Sequence, residues 1–208
     1  MQHASAAPHV QTSTGIDNRK LLMWLFLASE CLFFGGLIGT YLLYRNRSDV
    51  PPFPTDRTID GVQYEGVFDI PFTSVSAFIL LMSSVSMVLA LAAIQRNDRR
   101  GLRVWLLCTA LLGMTFLAGQ AFEFTVFYRE GLTLHSNLFG TTFFVLTGFH
   151  GAHVSVGVLI LLSLFVMALR GRIGQEDSLN VELAGLYWHF VDVVWIVIFT
   201  VVYLIQPT

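Results

Sequence analysis

Five apolar runs, at 21–44, 72–94, 102–128, 138–169 and 184–205, decide what this chain can fold into. Each is long enough to cross a bilayer, which takes about 20 residues of helix. A backbone surrounded by lipid must satisfy its own hydrogen bonds. The runs lack the short alternating pattern of barrel strands, so helix is the spanning form. The expected fold is therefore all-α, a polytopic bundle of five transmembrane helices. The run at 138–169 is overlong for an upright span and is expected to tilt or protrude. Charged residues make up only 12% of the 208, about half the usual ~25% of soluble domains. A net charge of −2 gives no basis for a nucleic-acid partner.

Residues 1–20 form a polar segment without the basic start of a signal peptide. They are expected to be a flexible cytoplasmic tail ahead of a single transmembrane domain at 21–206. Arg19, Lys20, Arg96, Arg99, Arg100, Arg103, Arg170 and Arg172 fall on one side of the membrane; Arg45, Arg47, Arg57 and Arg129 fall on the other. The positive-inside rule then puts the N-terminus in the cytoplasm and the C-terminus outside. The first outer loop, about 45–71, is long and rich in proline and acid, which marks it as functional or as docking on a partner.

Ionisable groups inside spans are costly and face protein or water. Glu30, in "ASECLFFGG", lies about ten residues into the first span, ~15 Å deep. With no Lys or Arg in its own span, it needs a partner from another helix or subunit. It reads either as an interhelical hydrogen-bonding group or as a proton-handling one. Gly35 and Gly39 form a G-x-x-x-G step suited to close helix packing. Glu123 shares a face with Gln120 and is expected to make an interhelical hydrogen bond. His150 and His153, three residues apart, should point to one side. No further donor nearby completes a metal set, so they read as satisfied interhelical histidines, with Gly148 and Gly151 marking a packed face. His189 and Asp192, in "YWHFVD", stand at the same spacing and should pair with each other near the cytoplasmic interface. Cys31 and Cys108 form no C-x-x-C motif and read as small buried residues. No catalytic residue and no metal site is expected.

"GTTFFVLTGFHGAHV" and "AGLYWHFVDVVWIVIF", together with "ASECLFFGG" and "GQAFEF", resemble subunit III of haem–copper oxidases. The resemblance covers all five spans. It implies a multi-pass subunit in a bacterial plasma membrane, bound chiefly to subunit I and also to other oxidase subunits. In that family the haems and copper lie in subunits I and II, and this subunit carries no redox centre. It is implied to stabilise subunit I, to bind structural phospholipid and to support proton uptake and oxygen access in a proton-pumping cytochrome c oxidase. The family's larger form has seven helices; this chain corresponds to the last five. Within the same fold, a quinol oxidase subunit III or a nitric oxide reductase accessory protein is the alternative. Outside it, a small proton-coupled transporter using Glu30 and His150 is disfavoured by the absence of repeats and paired broken helices.

Overall fold

The computed structural model describes residues 15, 17–45, 47, 51–59 and 61–205. Most of the expected tail, residues 1–14 and 16, lies outside them. The chain is a five-helix membrane bundle: α1 (Asn18–Tyr44), α2 (Ile70–Gln95), α3 (Arg99–Arg129), α4 (Leu138–Leu169) and α5 (Ser178–Phe199). Each helix is long and apolar enough to cross a membrane. The expected spans fall inside these helices, apart from the last few residues of the fifth. The chain begins each of α1 to α4 one to three residues earlier or at the same residue, because a polar side chain caps it there. Asp17, Asp69, Asp98 and Asn137 accept from the backbone N–H of Arg19, Phe72, Arg100 and Gly140 respectively. These caps satisfy amides that would otherwise be orphaned at the membrane surface.

α2 packs most extensively on α3, α3 on α4, and α5 touches α1, α2 and α4. The bundle core is therefore built around α5, where Trp188 and Trp195 are fully enclosed. Trp188 has room only because its neighbours are glycines. A Cβ at Gly113 would stand 2.6 Å from the indole and one at Gly157 2.7 Å. α1 is the least covered span, and it leaves Leu22, Trp24 and Leu32 exposed.

Two local features depart from five plain helices. The loop between α1 and α2 carries a short antiparallel hairpin, β1 (Arg57–Ile59) and β2 (Val62–Tyr64). It is anchored by the buried Phe53 and by Asn137, whose Nδ2 donates to the Pro52 carbonyl at 3.1 Å. α5 ends in a five-residue π-turn, Thr200–Leu204. Arg45, the cap residue of α1, donates to the Val201 carbonyl at 3.3 Å and to that of Ile205 at 2.8 Å.

Candidate functional site

Glu30 and His153 meet across α1 and α4. Glu30 Oε2 lies 3.2 Å from His153 Nε2, and the side chains are 17% and 19% exposed. His153 Nδ1 lies 2.8 Å from the Phe149 carbonyl, which can only accept, so Nδ1 carries a hydrogen. The Nε2–Oε2 contact then holds one proton, either on a glutamic acid donating to the ring or on an imidazolium donating to a carboxylate. The Tyr187 hydroxyl donates to the backbone carbonyl of His153 at 3.0 Å, adding α5 to the arrangement. The pair opens on an apolar cavity of about 660 Å³ lined by Met23, Phe26, Phe149, Val156, Ile160 and Tyr187, among others.

Glu123 is buried at the opposite end of the bundle from the 95–99 and 170–177 turns. Its Oε1 accepts from Thr73 Oγ1 at 2.6 Å and from the Tyr203 hydroxyl at 3.2 Å. Three elements, α3, α2 and the π-turn, are thus joined through one carboxyl, the interhelical role expected of this residue. Gln120 points elsewhere on its own account: its Nε2 donates to the Thr147 carbonyl at 3.3 Å.

The two histidines of α4 diverge. His150 is fully buried, stacks on Trp195 with centroids 4.9 Å apart and stands edge-on to Phe116. Neither of its ring nitrogens has a hydrogen-bond partner among the described residues. The expectation of two satisfied rings on one side is met by His153 alone. Three residues turn the helix by about 300°, an offset of about 60°: both rings stand edge-on to Phe34 of α1, but His150 also reaches Phe116 and Trp195 while His153 reaches Glu30.

His189 and Asp192 do not bond each other directly. His189 Nδ1 lies 3.2 Å from Ser84 Oγ on α2, and Ser84 also faces the carboxyl of Asp192. Backbone spacing permits the pair, but a hydroxyl from α2 takes the place between them. Beside it, Trp188 Nε1 donates to Ser83 Oγ at 2.9 Å, and Ser86 and Thr109 hydroxyls meet at 2.8 Å. The serines at 83, 84 and 86 are the polar residues that sequence reasoning passed over. Their signal was present: three hydroxyls in "MSSVSM", at spacings that face two neighbouring helices.

The glycines divide. Gly151 sits against Gln120 Oε1, whereas Gly35, Gly39 and Gly148 have no atom within 4 Å of where a Cβ would stand. The close packing expected at those three has no partner among the described residues. Cys31 is exposed and Cys108 only partly covered, so neither is the buried residue expected. Both lie on helix faces turned outward, and the apolar medium outside the bundle makes that as comfortable as a core.

Fold and site define a multi-pass membrane protein whose interior polar groups tie helix to helix. The family model for cytochrome c oxidase subunit III matches residues 5–206. The cytochrome c oxidase subunit 3 of Synechocystis sp. is 43% identical over 191 residues, covering 91% of this chain and 76% of the relative. That of Thermostichus vulcanus is 38% identical, covering 91% and 88%. The quinol oxidase subunit 3 of Bacillus spizizenii is 34% identical, covering 98% and 97%. The chain belongs to the cytochrome c oxidase subunit III family and is a subunit III of the haem–copper oxidase type.

Proposed function

We propose that this chain is the non-catalytic third subunit of a proton-pumping haem–copper terminal oxidase in a bacterial plasma membrane, oriented with its N-terminus cytoplasmic. It braces subunit I, the haems and copper residing in subunits I and II. It holds phospholipid, and it supports proton uptake and oxygen access. Cytochrome c is the favoured donor, from the names of the relatives at 43% and 38% identity; quinol is the alternative, from that of the 34% relative.

The observation that supports this reading best is the Glu30–His153 pair at the edge of an apolar cavity. A one-proton pair beside an acyl-chain-sized space suits a subunit that manages protons and lipid around a neighbour's chemistry. Glu123, Gln120, Ser86 and Trp188 bond helix to helix and serve cohesion. Affinity purification of the tagged chain in mild detergent tests the reading. Co-purified haem-bearing subunits, with oxygen reduction that survives loss of this chain at first and then decays, are the expected result. A colourless homo-oligomer would overturn it.

A further inference from the structure

His189 poses a problem that the bundle itself does not solve. Ser84 lies near the middle of α2 and His189 near the middle of the Ser178–Leu204 span, so their contact is deep in the membrane and not near the interface expected from the sequence, because α5 begins several residues before the expected span. The imidazole is only half-buried. Its Nδ1 is engaged by Ser84, while Nε2 meets no hydrogen-bonding atom among the described residues. Unlike the ring nitrogens of His150, Nε2 is not enclosed by the bundle. Around it the surface is apolar. One turn from Ser84 stand Leu81 and Val88, and one turn from His189 stands Val193, all exposed. A polar nitrogen facing hydrocarbon at this depth is unfavourable, and such groups face protein instead.

Ser84 has a single hydroxyl hydrogen and faces the Asp192 carboxyl as well as His189. Directed to the carboxyl, that hydrogen leaves the serine oxygen to accept from Nδ1–H, and Nε2 is a bare acceptor; directed to Nδ1, it leaves Nε2–H a donor. In both tautomers Nε2 lacks a polar partner among the described residues. The chain belongs to a family of oxidase subunits, so the medium beyond this face includes other membrane-spanning subunits.

We propose that the α2/α5 face around Ser84 and His189 seats a transmembrane helix of another oxidase subunit, which places a polar hydrogen-bonding group on His189 Nε2. This rests on the reading of the chain as part of an oxidase complex, and it adds where the complex is joined. The exposed α1 face, with its open glycines, carries no such unfilled bond.

Photo-cross-linking in the whole oxidase tests it. Benzoyl-phenylalanine at Val88 or Val193 should give, on illumination, an adduct between this chain and another oxidase subunit, identified by peptide mass spectrometry. Adducts with lipid only, or with a second copy of this chain, from an intact complex would overturn the proposal alone. Recovery of the chain with no haem-bearing partner would remove the underlying reading and the proposal with it. In parallel, His189→Gln retains an acceptor and should keep the subunit on the complex within about twofold through a detergent wash. His189→Phe should lower retention by about tenfold, the scale of one net hydrogen bond. Equal retention of His189→Phe and the parent would overturn the polar contact. If the Phe variant fails to accumulate, cross-linking in the otherwise unaltered chain decides.

Discussion

His153 Nε2 lies 3.2 Å from Glu30 Oε2, with the opposite ring nitrogen held by the Phe149 carbonyl. This geometry separates two functions that one substitution can pull apart. In Glu30→Gln the amide NH₂ still donates to Nε2, so the α1–α4 contact survives, but no proton can be passed. Assembly and initial oxygen reduction should stay within about twofold of the parent, because the hydrogen bond is kept. Activity during prolonged turnover should decay faster. Unchanged turnover over the full assay would leave Glu30 with a packing role only.

Glu123 should behave differently, because its three-way bond is cohesive. Glu123→Ala leaves the Tyr203 hydroxyl buried without its acceptor and returns Thr73 to the Asp69 carbonyl alone. The expected cost is about 1–3 kcal/mol, seen as a lower thermal midpoint of the purified complex. Glu123→Gln should recover most of it. A Gln variant as unstable as the Ala variant would point to charge, not hydrogen bonding, as what matters there.

Glycine substitutions should sort by what stands opposite them. Gly157→Ala drives a methyl into the Trp188 indole, an overpacking that costs about 1–3 kcal/mol. Thermal unfolding followed by tryptophan fluorescence measures it. Gly35→Ala meets no atom among the described residues, so the isolated subunit should be indifferent to it. Weaker retention on the complex, with isolated stability unchanged, would show that the α1 glycines serve an external helix.

Asp192→Ala should weaken assembly and leave chemistry intact. The carboxyl is buried, and its removal frees the Ser84 hydroxyl that orients His189. The cost is about 1–3 kcal/mol, read as lower subunit yield per haem. A complex that assembles fully but no longer reduces oxygen would contradict this.

Metal analysis of the detergent-purified chain, separated from its partners, should show no stoichiometric haem or copper. The two histidines spaced closely enough to share an ion diverge, one stacked on Trp195 and the other bonded to Glu30. One tightly held ion per polypeptide would refute the expectation.

The spans were legible because length and apolarity alone decide them, and Glu30 stood out because a carboxyl has no business in hydrocarbon without a partner. The identity of that partner was not legible. His153 is 123 positions away, and only the way α1 leans on α4 brings it near. Local spacing misled at His189 and Asp192, where i, i+3 geometry suggested a pair. An external hydroxyl competes better than a neighbour on the same helix when the rotamers point apart. Hydroxyls such as Ser84 and Thr73 escape notice for a related reason. In membrane helices they can bond back to their own backbone, as Thr73 does to the Asp69 carbonyl, so their presence alone announces no tertiary role.

The wide last turn of α5 ties a surface loop to the interior of the bundle. The carbonyls of Val201, and of Ile205 just past the turn, accept from Arg45, the residue at which α1 ends and the long loop to α2 begins. Tyr203, in the same turn, reaches inward to Glu123. The root of the loop and a buried carboxyl are therefore moored to one short stretch of backbone, the first through its carbonyls and the second through a tyrosine hydroxyl.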